Sequence, residues 1–233
     1  WAVRGAAYAN VRKGKHLITT AIEHHAILHT CEQLEKEGFQ VTYVPVDEFG
    51  IVRVDELEKA IRPDTTLISV MAANNEIGTV QPIEEIARIA KSRGILFHTD
   101  AVQAIGSIPF DVKAMNIDML SMSGHKFHAP KGIGVLYVRN GVKLQRLING
   151  GAQERTQRAG TENLASIVGI GKAVELATAN IERHNAEVSA VRDRLIDRIL
   201  AEIPYTRLNG HRTKRLPGNC NISFQFIEGE SLL

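Results

Sequence analysis

From Leu17 to Val138 the chain alternates short β-branched apolar runs with segments whose apolar residues recur every three or four positions, and no other feature constrains its fold as tightly. Leu17 to Thr20 reads as a strand. Ala26 to Glu37 then puts Ile27, Leu28, Cys31 and Leu34 on one helical face until Gly38 stops it. Val41 to Val46 is the next strand, Val54 to Ile61 a short helix closed by Pro63, and Leu67 to Met71 a buried strand. Ile83 to Ala90 is a helix ended by Gly94, Ile95 to Thr99 a further strand, and Asp118 to Ser121 and Ile133 to Val138 add two more around a turn containing glycine and histidine. Repeated β-α-β predicts an α/β fold: a mostly parallel sheet sandwiched by helices, with ligand chemistry at the carboxyl ends of its strands.

Beyond Gly150-Gly151 the texture changes. Asn163 to about Ile203 reads as one long amphipathic core helix carrying Ile181, Val188, Val191, Leu195 and Ile199. A turn at Asn209-Gly210 and a strand from Asn221 to Phe226 then open a smaller α+β unit. The predicted organisation is a large α/β domain over residues 1–162, followed over 163–233 by a connecting helix and the start of a small α+β domain. The chain opens at Trp1 within a helical run and stops at Glu230-Ser231-Leu232-Leu233 as another amphipathic run begins, which reads as an internal fragment of a longer protein.

Composition removes several classes of function. Twenty-eight Lys and Arg against 26 Asp and Glu leave a formal charge of +2, too weak and too evenly spread for a nucleic-acid or membrane-surface field. No apolar run approaches the ~20 residues that span a bilayer. Cys31 and Cys220 lie far apart, and neither has a Cys or His at metal-ligand spacing; no zinc site is suggested, and a reducing cytoplasm fits.

The strongest local signal is Ser121-Met122-Ser123-Gly124-His125-Lys126, followed by Pro130-Lys131-Gly132-Ile133-Gly134. Lys126 is either a solvated loop lysine or an amine at the rim of a low-dielectric site, where desolvation lowers its pKa and enlarges its nucleophilic fraction. Ser123 and His125 either hold an anion beside it or make ordinary turn hydrogen bonds. Asp100 ends an apolar strand and either faces the cleft or caps the helix that follows. A strand-end Asp followed some two dozen residues later by Ser-x-His-Lys is the arrangement a pyridoxal phosphate enzyme needs. The carboxylate keeps the pyridine nitrogen protonated, while the lysine carries the aldehyde as an imine and shuttles protons. Three further segments fit the same ligand. Glu23-His24-His25 offers an imidazole, Asn74-Asn75-Glu76-Ile77-Gly78 an amide, and Gln103 lies one helical turn past Asp100; a surface histidine and Asn-rich turn chemistry are the alternatives for the first two.

With these residues assembled, the chain resembles the cysteine desulfurases of the NifS/IscS type, fold-type I pyridoxal phosphate enzymes of the class-V aminotransferase family. The segments that carry the likeness are Thr19 to His24, Met71 to Gly78, His98 to Gln103, Ser121 to Gly134, Gly150 to Asn163 and Glu228 to Ser231, essentially end to end. His128-Ala129-Pro130 and Arg158-Ala159-Gly160-Thr161-Glu162-Asn163 look closer to the nitrogen-fixation branch than to the housekeeping one. The resemblance implies pyridoxal 5'-phosphate as cofactor, Lys126 as the Schiff-base lysine, Asp100 on the pyridinium, His24 on the ring and in proton transfer, and Gln103 on the phenolic oxygen. It implies Asn75 at the cofactor and the substrate carboxylate, Ser123 and His125 on the phosphate, and Thr161 reaching that phosphate from the partner subunit of a homodimer. Arg155 and Arg158 match a family loop near the entrance, in which Thr156 replaces the usual glycine.

The implied reaction converts L-cysteine to L-alanine and hands the sulfur, as an enzyme persulfide, to an iron–sulfur scaffold or another acceptor protein. In the family pattern a phosphate loop lies before Trp1, and the nucleophilic cysteine and a substrate-clamping arginine lie beyond Leu233. Neither Cys31 nor Cys220 matches that sulfur-accepting position, so this chain alone is expected to be inactive. A selenocysteine lyase or a small-amino-acid aminotransferase shares the Asp, Lys and His roles, and a non-catalytic scaffold would keep only the dimerisation and carrier surfaces.

Overall fold

The computed structural model describes residues 1–232. The first helix, α1 (Ala2–Ala9), leads into β1 (His16–Thr20), α2 (His25–Lys36), β2 (Gln40–Val44), α3 (Val54–Lys59), β3 (Thr65–Ser69), α4 (Ile83–Ser92), β4 (Leu96–Asp100), β5 (Met119–Ser123) and β6 (Gly134–Val138). These six strands form one sheet in the order β2-β1-β3-β4-β5-β6. β1 to β5 pair in parallel and β6 runs antiparallel to β5.

Successive side chains of a strand point to opposite faces, and here both faces are apolar. Ile18, Ile68, Phe97 and Leu120 pack against Leu57 of α3 and Ile86 and Ala90 of α4. Leu17, Leu67 and Met119 face the other way, onto Ala2 and Ala6 of α1 and Cys31 and Leu34 of α2. Each buried side chain of this size contributes roughly 1.5–3 kcal/mol, so the double-sided cover fixes register along the whole sheet. The strand expected to reach Val46 stops at Val44 because Pro45 lacks an amide hydrogen; Val46 pairs instead with Val52 in an isolated bridge.

The single long helix expected over Asn163 to Ile203 is two helices, α5 (Leu164–Ala179) and α6 (Ile181–Glu202), bent by 70° at Asn180. Asn180 leaves the helical region, with φ −135° and ψ 35°, as asparagine does more readily than the residues around it. The inward face of α6 is also not the one expected. Arg192 and Ile196 are buried, whereas Val191 and Leu195 are exposed. Among the described residues no single helix is long and apolar enough to cross a membrane.

Two short strands, β7 (Thr206–Leu208) and β8 (Ile222–Phe224), form a separate antiparallel ribbon. β7 went unrecognised in the sequence, and β8 is shorter at both ends than the expected Asn221–Phe226. The segment between them docks on the loop after β3. Val80 N–H donates to the Lys214 carbonyl and Leu216 N–H to that of Gly78, both at 2.9 Å. Gly78 has φ +75°, and a Cβ there would fall 2.4 Å from the Asn219 side chain; only glycine allows this approach.

Candidate active site

Because β1, β3, β4 and β5 are parallel neighbours, their carboxyl ends open side by side along one edge. With strands ~4.8 Å apart, the four ends span roughly 14 Å. His24, Asn75, Asp100 and the Ser123-His125-Lys126 turn follow these four ends in that order.

His24 is the N-cap of α2, and its Nδ1 accepts the Ala26 N–H at 3.1 Å. A neutral ring in this cap therefore carries its proton on Nε2, which points away from the cap as a donor. Asp100 is the last residue of β4 and lies opposite Ser121 of β5. Its Oδ1 accepts the Val102 N–H at 3.0 Å, so it caps a turn rather than the helix expected there. Burial holds its carboxyl group above the usual range, opposed by the Val102 amide and by the His24 imidazole, which is near enough to act on it. Gln103 is half-buried in a run of turns after Asp100, a tighter path than the helix expected there.

The loop after β3 divides its two asparagines by task. Asn74 is buried; its Oδ1 accepts the Glu76 and Ile77 N–H groups at 2.9 Å, and its Nδ2 donates to the Ile22 carbonyl at 3.0 Å. Asn74 thus takes the turn chemistry, and Asn75, half-buried beside it, is held out at the strand ends.

At the end of β5, Ser123 Oγ and His125 Nδ1 are 2.9 Å apart, and His125 and Lys126 lie in a single 3-10 turn, Gly124–Phe127. The tightness of that turn has a steric reason. A Cβ at Gly124 would meet Ile133 and Ala129 at about 3 Å, which seats the turn against the start of β6. Of the two environments open to it, Lys126 takes the exposed one within this chain, because Phe127 rather than Lys126 turns into the apolar cluster under α5. A cavity of about 450 Å³ between this turn and α5 is lined by Lys126, Phe127 and His128 but by none of His24, Asp100 or Ser123. The strand ends, not that cavity, gather the chemistry. Thr161 is exposed in the segment before α5 and is not brought to the other site residues within this chain.

The sequence reading missed a polar layer beneath the site. His98 is fully buried, its Nδ1 2.8 Å from Ser69 Oγ and its Nε2 2.9 Å from Ser121 Oγ, which links β3, β4 and β5 one step below Asp100. Burial pushes this imidazole down to about 3, so it is neutral, one nitrogen donating and the other accepting. Glu23 is also buried, held by Thr20 and by the Met71 amide. A histidine two residues before a strand-end Asp was the available signal for the first, and an acid placed between a strand and a helix N-terminus for the second.

The donor set fits a phosphorylated pyridine aldehyde. The half-buried Asp100 carboxylate would hold the pyridine nitrogen protonated, the Ser123–His125 pair would hold the phosphate, and the exposed Lys126 lies one residue from that pair.

The model of the family described as aminotransferase class-V matches residues 1–233. A protein named cysteine desulfurase IscS from Methanosarcina thermophila is 63% identical over all of this chain, which spans 57% of that relative's length. Among solved structures, one described as a NifS-like protein superposes with a TM-score of 0.95 at 41% identity, covering 100% of this chain and 64% of the other. Another, described as SspA in complex with cysteine, gives a TM-score of 0.72 at 49% identity over 75% of this chain and 51% of the other.

Proposed function

The chain belongs to the aminotransferase class-V family, and on that premise we propose that it is the site-bearing part of a pyridoxal 5'-phosphate-dependent cysteine desulfurase, which converts L-cysteine to L-alanine and passes the sulfur on as a persulfide. Its fold is that of the type I pyridoxal phosphate transferases. The observation that carries the proposal is the row of adjacent strand ends bearing His24, Asn75, Asp100 and Ser123-His125-Lys126.

When bound, the cofactor supplies an electron sink for the bonds at the substrate α-carbon. Asp100 keeps a proton on its pyridine nitrogen, and the low exposure of that carboxylate strengthens the attraction. Lys126 Nζ anchors the cofactor and moves the proton at the substrate α-carbon. His24, with Nδ1 occupied by the Ala26 amide, uses Nε2 to give or take a proton at the reacting group. Gln103 donates to the phenolic oxygen, Asn75 orients the substrate carboxylate, and Ser123 and His125 hold the phosphate. Thr161 completes the phosphate site of a second chain in a homodimer. Cys31 is not the sulfur acceptor: burial in the face of α2 pushes its thiol up to about 12 and leaves almost no thiolate. Iron–sulfur cluster assembly is the use we assign to the sulfur, with the His128-Ala129-Pro130 and Arg158–Asn163 segments favouring a nitrogen-fixation role.

Borohydride reduction of the cofactor-loaded full-length protein, followed by peptide mapping, tests the assignment. A pyridoxyl label on Lys126 is expected; a label on another lysine, or none, rejects it. Sedimentation of the loaded protein tests the dimer, which a fully active monomer would rule out.

A further inference from the structure

β1 and β3 are neighbours, yet the chain leaves them in opposite directions, from β1 to β2 on one side and from β3 to β4 on the other. At such a switch point the connections diverge and a crevice opens between them. His24 stands on one wall of this crevice and Asn75 on the other. Glu23 bridges the two. Its Oε1 accepts the Thr20 hydroxyl at 2.7 Å on the β1 side and the Met71 N–H at 2.9 Å on the β3 side, and Asn74 reinforces the span through its bond to the Ile22 carbonyl.

We infer that Glu23 is a positioning residue for the candidate site, a carboxyl clamp that fixes the His24 wall against the Asn75 wall across the switch point. The inference rests on the reading of His24 and Asn75 given under the proposed function.

The clamp is electrically neutral. Glu23 is 5% exposed, and none of the ion pairs among the described residues includes it. The charged group that acts on it is Asp100 from β4, which pushes in the same direction as burial; Cys31 of α2 and His24, the next residue in the chain, are the other titratable groups beside it. A buried carboxylate without a counter-charge keeps its proton, and burial pushes this one up to about 8. Oε1 accepts both hydrogen bonds of the clamp, and Oε2 has no partner among the described residues. Glu23 therefore holds the walls without adding a second negative charge beside Asp100.

The test compares Glu23→Gln, Glu23→Asp and Glu23→Ala with the wild type in the full-length protein. In the first arm the thermal midpoint of the cofactor-free protein is followed from pH 5 to 9. The folded state favours the protonated acid, so wild-type stability should fall as pH rises toward 8, while Glu23→Gln, neutral throughout, should gain several degrees on it by pH 9. Parallel profiles for the two proteins would overturn the neutral clamp. In the second arm pyridoxal 5'-phosphate affinity is measured at 20 °C, far below every midpoint, where a merely structural role leaves affinity unchanged. Glu23→Gln should bind within threefold of the wild type. Glu23→Asp, one methylene too short to reach Met71, and Glu23→Ala should bind at least tenfold more weakly. Wild-type affinity in both shortened variants would overturn the positioning role; if Glu23→Ala does not fold, Glu23→Asp decides. Failure of the wild type itself to take up the cofactor would instead break the reading of the site, and the first arm would still judge the clamp.

Discussion

The six-stranded sheet and the pair α5–α6 both carry large apolar side chains and treat them in opposite ways. In the sheet, β1 and β3 are buried along their whole length, because helices cover both faces. In α5 and α6, Leu164, Val168, Leu176, Val191 and Leu195 are all at least half exposed. The first region closes its own core, so its polar groups are forced into exact partnerships such as Ser69–His98–Ser121. The second presents apolar surface, and its bend depends on one asparagine. A site whose parts must stay within fractions of an ångström belongs on the first kind of region, and His24, Asn75 and Asp100 are all there.

The largest test of this contrast is Phe97→Ala. Phe97 is fully buried at the centre of the sheet, and its loss should cost about 3–5 kcal/mol in urea unfolding, enough to unfold a domain of ordinary stability. A cost below about 1 kcal/mol would mean the sheet is not the rigid region.

The two cysteines offer the next test. Cys31 is 1% exposed in the apolar cluster under α2, whereas Cys220 is half-buried ahead of β8. Cys31→Ser places a hydroxyl among apolar side chains and should cost about 1–3 kcal/mol; Cys220→Ser should stay within about 0.5 kcal/mol. In the native protein a thiol reagent at pH 8 should modify Cys220 and spare Cys31 until denaturant is added. Equal labelling of both would erase the distinction.

A smaller effect is the pH dependence of stability, which the sheet should dominate. His98 falls from its ordinary 6.5 to about 3, so the unfolded chain takes up a proton that the folded one refuses, and stability declines as pH drops from 6.5 to 3. Glu23 rises from 4.5 to about 8, and stability declines as pH climbs through that interval. Between 4.5 and 6.5 the two slopes, about 1.4 kcal/mol per pH unit each at most, oppose one another and leave a plateau. His98→Asn should flatten the acid limb alone. An unchanged acid limb in that variant would show that His98 does not titrate as its burial requires.

How much of this was legible in the sequence follows the same division. The strands of the sheet were readable because double-sided burial makes them mostly apolar runs, such as Leu67–Met71 with its single Ser69. His24, Asp100 and Lys126 were readable because they stand where those runs end. Asn180 was not, since an asparagine within an amphipathic repeat is also tolerated inside helices, and only its backbone angles reveal the bend. The exposure of Lys126 was hidden for a different reason: the sense of a 3-10 turn decides whether residue 126 or 127 faces the core. Glu23 and His98 were visible as letters, but their partners, Met71 and Ser121, lie 48 and 23 residues away, and only strand order brings them together.

The sharpest comparison uses adjacent residues of one helix, one of which should show almost no effect. Ile196 is fully buried on the inner face of α6, while Leu195 is 50% exposed on the outer one. Ile196→Ala should cost about 2–5 kcal/mol through lost contacts and the cavity left behind. Leu195→Ala removes little buried area and exchanges one good helix former for another, so its cost should stay within about 0.5 kcal/mol. Both are measured by urea unfolding of the 233-residue chain. If Leu195→Ala proves as costly as Ile196→Ala, the outer face of α6 is covered in solution, and the contrast between a closed sheet and an open helical region no longer holds.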